Sequence, residues 1–312
     1  MLKCGGVFFA HTERSVRYTK PALTIEQQAD RLISRGLIAD RTRLIEILTN
    51  VSYYRLSGYF FPHRDANRQD FLPGTSFDVV FDQYLFDRQL RVLVMDAIER
   101  IEVSVKAKLV NLLTLRFGPF AHTKPANFPS FRLDNYELWM DKIHQQTERS
   151  KEIFLQHYQA KYTSETEIPL WMMAEIMDFG TTLTLYRNCD QYDKRAIARA
   201  YGLTAKVLES WLVSLNIVRN ICAHHGRLWN RILAVPPIVP ERKHRPEFYA
   251  PRPIYGNRVF LLLCVLRYML RTIAPQSGWS GRVEHAIKVK HPAIPVGWMG
   301  MPTGWVEYGV WR

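Results

Sequence analysis

The stretch from Phe77 to Arg116 constrains the fold more than any other part of the chain. Its apolar residues recur at the 3.6-residue period of an α-helix, at Leu90, Leu93, Val94, Ala97, Ile98, Ile101, Val105, Leu109 and Leu112. Strict alternation of apolar and polar residues, which would indicate strands, is scarce in the rest of the sequence. We therefore expect a long amphipathic helix, continuous or broken once, within an all-α fold.

Further helices are predicted on both sides of this stretch. TIEQQADRLISRG (24–36) has a Thr N-cap, a Gln three places later and a terminal Gly, and a second short helix is expected over 40–49. Residues 65–77 contain Pro73 and Gly74 and predict a loop, with or without a short hairpin. Apolar periodicity predicts five later helices, at 134–162, 169–187, 191–201, 204–232 and 256–273.

The C-terminal tail, PAIPVGWMGMPTGWVEYGVWR (292–312), holds three tryptophans among Gly and Pro residues. Because burial of tryptophan is strongly favourable, we expect this tail to pack as an irregular strap over a helical bundle. The expected organisation is a basic leader at 1–20, an N-terminal helical and aromatic region at 21–76, and a helical bundle with its tail at 77–312, all forming one compact unit.

The chain is strongly basic, since 42 Lys plus Arg against 29 Asp plus Glu give a formal charge of +13. Such a charge attracts polyanions, chiefly nucleic acid or an anionic membrane surface, but does not indicate catalysis. The longest apolar run, VFLLLCVL (259–266), is far shorter than the roughly 20 residues that span a membrane. The early charges do not predict a signal peptide, and the four cysteines form no CxxC pair. We expect a soluble cytoplasmic protein with reduced thiols.

The segment RNICAHHGRLWNR (219–231) concentrates residues that can do chemistry: Arg219, Asn220, His224, His225, Arg227 and Arg231. On the predicted helix, Asn220 and His224 are four residues apart and share a face, and Arg227 and Arg231 are expected within about 60° of His224. Arg219 lies roughly 140° from His224 around the same axis. One copy of the helix does not bring both side chains to one phosphate. A composite site at the two-fold interface of a homodimer would do so.

These residue types suit the cleavage of RNA without a metal or another cofactor. The ribose 2′-OH can attack the neighbouring phosphorus, while an imidazole removes that proton or protonates the leaving 5′ oxygen. A guanidinium can stabilise the charge on the phosphorane oxygens, and an adjacent Asn can hold the phosphate or orient the imidazole. The candidate catalytic residues are Arg219, Asn220 and His224, supported by His225, Arg227 and Arg231. The expected products carry 2′,3′-cyclic phosphate and 5′-hydroxyl ends, and DNA should resist.

Other interpretations of this segment stay open. An Arg and a His at this spacing often occur together by chance. The adjacent histidines could ligate a metal, although neighbouring helical side chains point apart and no carboxylate accompanies them. The arginines could simply be a basic helix C-terminus that the macrodipole favours. For the whole protein, the alternatives are a non-catalytic RNA-binding protein that grips phosphates with the same residues, and a structural interaction protein.

Several blocks of sequence, in order along the chain, resemble one family. The Arg-Asn-x-x-Ala-His pattern in 219–224 matches the HEPN superfamily, and its surroundings resemble the Abi-like (abortive infection) proteins of bacteria. The resemblance covers roughly residues 20–306. Its blocks are KPALTIEQQADRLISRGLI (20–38), VSYYRLSGYFFPHR (51–64), FDRQLRVLVMDAIERIEVSVKAKL (86–109), IPLWMMAEIMDFGTTLTLYRN (168–188), SWLVSLNIVRNICAHHGRLWNR (210–231) and MGMPTGW (299–305).

This resemblance implies a HEPN-type helical bundle with an N-terminal helical extension and an irregular C-terminal strap. It also implies an endoribonuclease that acts as a toxin-like antiphage effector, works as a dimer and is held in check by a protein or an inhibitory small RNA. Arg219, Asn220 and His224 occupy the motif positions. Some HEPN toxins carry a Tyr two residues after the His. Gly226 stands there in this chain, so the nucleotide-modification control associated with that Tyr is not carried over.

Two further groups are candidates for the site. Glu102 on the long helix is expected to hold Arg219 or a histidine in place, and the alternative is a surface ion pair with Lys106 at i, i+4. The block SYYRLSGY offers Tyr53, Tyr54, Arg55 and Tyr59, which can stack on unpaired bases of RNA. The alternative is that this aromatic block forms a buried corner of the core.

Overall fold

The computed structural model describes residues 17–67 and 69–312 and has the all-α fold that the sequence predicts. Residues 1–16, most of the predicted leader, lie outside this description. β pairing in the described residues is limited to three isolated bridges, Ile38–Ser76, Arg64–Phe71 and Ile232–Arg258. The α-helices are α1 (Ile25–Ser34), α2 (Arg41–Asn50), α3 (Tyr53–Phe60), α4 (Phe77–Phe117), α5 (Leu133–Arg149), α6 (Ile153–Lys161), α7 (Leu170–Ile176), α8 (Phe179–Asn188), α9 (Gln191–Arg199), α10 (Ala205–Ala223), α11 (Val259–Ile273) and α12 (Trp279–His285).

The described chain divides into two compact units, and the boundary lies inside α4, between Val80 and Phe81. The organisation expected from the sequence, with boundaries after residues 20 and 76 and one compact unit, stays a prediction. No described helix combines the length and the apolar character that crossing a bilayer requires.

The N-terminal unit begins with the two helices that the capping signals predict. The Thr24 hydroxyl accepts a hydrogen bond from the Gln27 N–H at 3.3 Å, and the Gln27 side chain accepts one from the Thr24 N–H at 2.9 Å, which forms a capping box. The Asp40 carboxylate caps α2 by accepting from the Arg43 N–H at 2.7 Å. α1 and α2 pack against each other, burying Ala29, Leu32, Leu44 and Leu48.

The long helix α4 is continuous from Phe77 to Phe117. Its predicted apolar stripe is confirmed, because eight of its nine members are buried and only Leu112 is half-buried. A stripe that repeats every 3.6 residues lies along one side of the helix. α4 therefore presents one long apolar face to the protein core and leaves the other face to solvent.

The C-terminal unit is built around α11, whose first eight residues, the run VFLLLCVL (259–266), are all buried. A helix whose first turns are apolar all round belongs in a core. α10 packs against α8 and α9. The residues of its buried stripe are Leu208, Trp211, Leu212, Leu215, Val218 and Cys222. This packing fixes the axis of α10, and the end of that helix carries the candidate catalytic residues.

Two of the predicted helices are each divided in the structure. The helix predicted over 134–162 is interrupted at Ser150, and the helix predicted over 169–187 is interrupted at Asp178. The Asp178 carboxylate accepts from the Thr181 N–H at 2.6 Å and so starts α8 anew. Ser and Asp side chains that hydrogen-bond the nearby backbone compete with a continuing helix, and periodicity alone does not reveal this.

The C-terminal tail forms the irregular strap that the sequence predicts, with short 3₁₀ turns at Val296–Met299 and Trp305–Glu307. Trp305 and Trp311 are buried, and their ring centroids lie 4.6 Å apart in an edge-on arrangement. Gly300 has a φ of +76°, and a Cβ there would lie 2.7 Å from Arg258 Cβ. Only glycine fits at this turn of the strap.

Candidate functional site

Helix α10 ends at Ala223, well before the predicted end at residue 232. The following residues, 224–231, form a turn and an irregular stretch that we call the site segment. Arg227 and Arg231 lie on this segment, so their predicted helical positions close to His224 are wrong. Beyond the end of the helix, Leu228 and Trp229 are both fully buried.

The end of α10 is a Schellman turn, in which two N–H groups close back on the last helical carbonyls. The Gly226 N–H donates to the Ile221 carbonyl at 2.7 Å, and the His225 N–H donates to the Cys222 carbonyl at 3.0 Å. His225 has a φ of +56°, in the left-handed region that glycine usually occupies at this position. A residue with a Cβ in this conformation lowers the stability of the fold by about 1 kcal/mol relative to glycine.

Gly226 lies close to the last turn of α10. A Cβ at this position would lie 3.0 Å from Ile221 Cγ2 and 3.1 Å from the Ile221 carbonyl oxygen. A larger residue would therefore require Ile221 to shift by a few tenths of an ångström.

A buried ion pair on α4 holds the site segment in place. The carboxylate of Asp87, which is fully buried, lies 2.5 Å from Arg91 Nη1. The same carboxylate accepts hydrogen bonds from the backbone N–H of Leu228 at 3.1 Å and of Trp229 at 2.7 Å. Arg91 Nη1 also lies 3.5 Å from the carbonyl oxygen of Gly226. Two side chains of α4 therefore bind backbone atoms of three residues of the site segment, Gly226, Leu228 and Trp229.

The sequence contained a signal for this pair, although sequence reasoning assigned it no role. Asp87 and Arg91 are charged residues at i, i+4 within FDRQLRVL, on a helix whose neighbouring positions are apolar. A buried charge needs a partner and further hydrogen bonds. The periodicity of α4 predicts that these two side chains lie near the core, but not which backbone they bind.

Contacts from the C-terminal part of the chain support the far end of the site segment. The ring of Trp229 lies against the ring of Trp298 in the C-terminal strap, with 5.3 Å between centroids. Arg258 Nη1 donates to the Asn230 carbonyl at 3.2 Å, and an isolated bridge pairs Ile232 with Arg258. The segment is thus held at both ends, which limits the positions that its side chains can adopt.

The candidate catalytic residues lie at the end of α10, with Arg219 and Asn220 on its last turns and His224 as its C-cap. Asn220 and His224 are exposed and Arg219 is half-buried. Arg219 Nη1 lies 3.5 Å from Asn220 Oδ1, at the limit of a hydrogen bond. The five-residue separation of Arg219 and His224 still directs them roughly 140° apart around the helix axis. The structure thus brings Arg219 and Asn220 together.

The supporting residues surround this helix end in different ways. His225 is exposed, and Arg227 and Arg231 are half-buried. Arg231 Nε donates to the Arg227 carbonyl at 2.8 Å. Glu102 lies elsewhere on α4 and pairs with Lys106 Nζ at 3.0 Å, which is the ion pair that the sequence left open as the alternative.

The aromatic block SYYRLSGY forms α3 in the N-terminal unit, with Ser52 as its N-cap. Tyr59 is only 1% exposed, so its ring belongs to the core of that unit and offers no face to an RNA base. The prediction that Tyr59 contacts RNA is therefore wrong. Tyr54 is 87% exposed and Arg55 is exposed, so these two side chains remain candidates for stacking.

Neither a metal centre nor a reactive thiol accompanies the candidate residues in the described part of the chain. No cluster of three or more His, Cys, Asp or Glu side chains there is arranged to hold a metal ion. Cys222, which is buried in the last turn of α10, has a pKa raised to about 12 by burial and by the charge of Asp87. Its thiol is therefore protonated at neutral pH and unsuited to nucleophilic attack.

Comparison with known proteins yields one family. No curated protein and no solved structure matches the chain. The family model described as Abi-like protein matches residues 46–230, more than half of the chain. The match includes all of α4, with Asp87 and Arg91, and all of α10, with Arg219, Asn220 and the adjoining His224. The chain belongs to the Abi-like protein family.

Proposed function

We propose that this chain is a metal-independent endoribonuclease that cleaves single-stranded RNA at the end of α10. The observation that carries the proposal is the exposed imidazole of His224 at the end of a helix whose last turns also hold Arg219 and Asn220. Membership of the Abi-like family suggests a role in abortive infection. In that role, cleavage of RNA would halt the growth of a cell that a phage has infected.

The proposed reaction uses the RNA's own nucleophile. The 2′ oxygen forms a bond to the adjacent phosphorus, and the bond from phosphorus to the 5′ oxygen breaks. His224 accepts the proton of the 2′-OH, and a second imidazole gives a proton to the leaving 5′ oxygen. Arg219 donates two parallel hydrogen bonds to the phosphorane oxygens as negative charge builds on them, and Asn220 holds the phosphate. The products are a 2′,3′-cyclic phosphate and a 5′-hydroxyl.

We propose that the working site belongs to a homodimer. Within one copy, the five-residue separation sets Arg219 and His224 on different sides of the helix end, where Arg219 is half-buried and His224 is exposed. Two copies related by a two-fold axis would set Arg219 of each beside His224 of the other. Each dimer would then hold two such sites, and the adjacent His225, which is exposed, is the candidate for the second imidazole of each.

The decisive experiment is a cleavage assay on single-stranded RNA in the presence of EDTA. The wild-type protein is expected to cut, whereas Arg219→Ala and His224→Ala should each lower the rate by about a hundredfold or more, since each removes one catalytic group. His157→Ala and Arg195→Ala remove an exposed histidine and an exposed arginine elsewhere and should cut like the wild type. A substrate with 2′-deoxyribose throughout should remain intact.

The competing function is a non-catalytic RNA-binding protein, favoured by the formal charge of +13 and by the same basic residues. It predicts saturable binding of RNA with no cleavage by the wild-type protein, and a steep fall of affinity with salt as phosphate contacts release counterions.

An inhibitor that holds a nuclease in check, whether a protein or a small RNA, would copurify with the chain. Sequencing of the bound RNA identifies the second kind.

A further inference from the structure

A cavity of about 540 Å³ lies at the opposite end of α10 from the candidate catalytic residues. It is bounded by the end of α9, by the turn before α10 and by the segment 238–245. Ligand pockets in proteins commonly have volumes of about 300–1,000 Å³, so this cavity is large enough for a nucleotide.

The rim of the cavity is rich in basic side chains. Arg199, Lys206 and His244 all line it and are exposed. None of the three forms an ion pair within 4.0 Å in the described part of the chain. The one acidic residue of the lining, Glu241, pairs instead with Lys243 at 2.9 Å. The cavity therefore has an unbalanced positive charge that an anion would neutralise.

The fourth basic residue, Arg245, forms part of the cavity wall. Its guanidinium donates to the carbonyl of Gly202 and lies 5.5 Å from the ring centroid of Tyr268. These two contacts fix the Arg245 side chain beside Gly202 and Tyr268. Its charge adds to the field of the cavity, while Arg199, Lys206 and His244 remain available to a ligand.

The floor of the same cavity is apolar. Leu203 and Val207 are buried there, and Ile238, Val239 and Pro240 complete the surface. An apolar floor below a cationic rim suits a molecule with one flat, weakly polar part and one strongly anionic part. A nucleotide has this composition, because its base can lie on the floor while its phosphate meets the arginine and the lysine.

A second cavity adjoins the first along α10. A neighbouring cavity of about 440 Å³ shares Lys206 and Ile238 with it and is also lined by Glu209, Ser210 and Val213 of α10. The 19 residues of α10 span about 28 Å. The two cavities together follow this helix from Lys206 to Val213.

We infer that this cavity is a nucleotide-binding site, in which Arg199 and Lys206 bind the phosphate of either an RNA chain or a free nucleotide. Binding of a free nucleotide is independent of the proposed ribonuclease activity, whereas binding of substrate RNA rests on it. His224→Ala as the parent protein separates the two questions, because cleavage then plays no part in the measurement.

The test measures fluorescence anisotropy of two probes with this parent. The probes are a fluorescein-labelled oligouridylate of about twelve nucleotides and GTP carrying a methylanthraniloyl group. In the cavity variant, Arg199→Gln with Lys206→Gln, affinity for at least one probe should fall by about tenfold or more. The control variant, Arg149→Gln with Lys151→Gln, removes two exposed charges away from the cavity and should bind within about twofold of the parent.

The outcomes separate the two sources of the phosphate. A loss confined to labelled GTP assigns the site to a free nucleotide, and a loss confined to the oligouridylate assigns it to an RNA backbone. Equal affinities in the cavity and control variants for both probes would overturn the inference, as would the absence of saturable binding of either probe by the parent. Equal thermal unfolding temperatures for the two variants confirm that both are folded.

Discussion

The backbone N–H of Trp229 donates to the buried carboxylate of Asp87 at 2.7 Å. This hydrogen bond joins the site segment, which follows α10, to α4. The position of the exposed His224 therefore depends on a carboxylate that is distant in the sequence and buried in the core. The segment is held through backbone atoms of Gly226, Leu228 and Trp229.

Replacing Asp87 by Asn should destabilise the protein. The substitution removes the charge that balances Arg91, which is 8% exposed, and leaves a buried guanidinium without its counterion. Removing one partner of a buried ion pair costs roughly 3–5 kcal/mol. Urea unfolding at neutral pH should show a loss of about 3 kcal/mol in the free energy of unfolding. Asp141→Asn, on the exposed side of α5, is the control and should change it by less than about 0.5 kcal/mol. Equal stability of the two variants would contradict the role of the buried pair.

Replacing His225 by Gly and by Ala should give proteins of different stability. Neither variant carries the imidazole, so their difference reports the backbone conformation at a φ of +56°. Glycine adopts this conformation without the steric cost that a Cβ imposes. We expect His225→Gly to be more stable than His225→Ala by about 1 kcal/mol in urea unfolding. An alanine variant that equals or exceeds the glycine variant would show that the turn relaxes when the imidazole is removed.

The helices were predictable where their signals are local. The stripe of α4 and the capping box of Thr24 depend on residues three or four positions apart, and both are confirmed. The end of α10 was not predicted correctly, although the glycine at position 226 is a residue type that often ends helices. Leu228 and Trp229 continue an apolar pattern beyond Gly226, and only the tertiary contact with Asp87 shows that they are buried outside a helix.

The candidate site was also predictable only in part, because tertiary contacts decide which of its residues are buried. The motif identifies Arg219, Asn220 and His224 as a group, and the structure places the first two on the last turns of α10 and His224 at its C-cap. Tyr59 carries the same aromatic character as Tyr54, but burial separates the two residues, and a single sequence does not show which tyrosine of an aromatic helix faces inward. Which of these side chains are buried depends on the tertiary fold.

Stability should fall below about pH 6.5 because of one buried histidine, His122. Burial, with a smaller effect from the charge of His144, lowers the pKa of His122 from 6.5 to about 4. The unfolded chain therefore binds a proton on this residue between pH 6.5 and pH 4 that the folded chain does not bind. Above pH 6.5, His122 is neutral in both states and does not lower the free energy of unfolding. Below pH 6.5, the free energy of unfolding decreases as the pH falls toward 4. The total loss from this group is about 3 kcal/mol.

His122→Leu isolates this effect, because both ring nitrogens of His122 lack a hydrogen-bond partner and the substitution breaks no such bond. The free energy of unfolding should be measured in urea at pH 7 and at pH 4.5. The wild type should lose about 2–3 kcal/mol more than the variant over this interval. The Glu167 carboxylate lies 4.0 Å from His122 Nε2 and is common to both proteins. His157→Leu, which removes an exposed histidine, should follow the wild type. Parallel pH profiles for wild type and His122→Leu would refute the assignment.

Complementation between two inactive variants tests the composite site. A dimer that pairs one Arg219→Ala copy with one His224→Ala copy retains Arg219 on one subunit and His224 on the other. If each site takes its arginine from one copy and its histidine from the other, this mixed dimer has one intact site and one site that lacks both groups. Random pairing makes about half of the dimers mixed, so co-expression of the two variants should restore about a quarter of the wild-type cleavage rate. Each variant expressed alone should remain inactive, and so should co-expression of Arg219→Ala with the double variant Arg219→Ala/His224→Ala. No recovery in a sample that contains mixed dimers would place Arg219 and His224 in the same subunit's site. The roughly 140° between them on α10 argues against that arrangement.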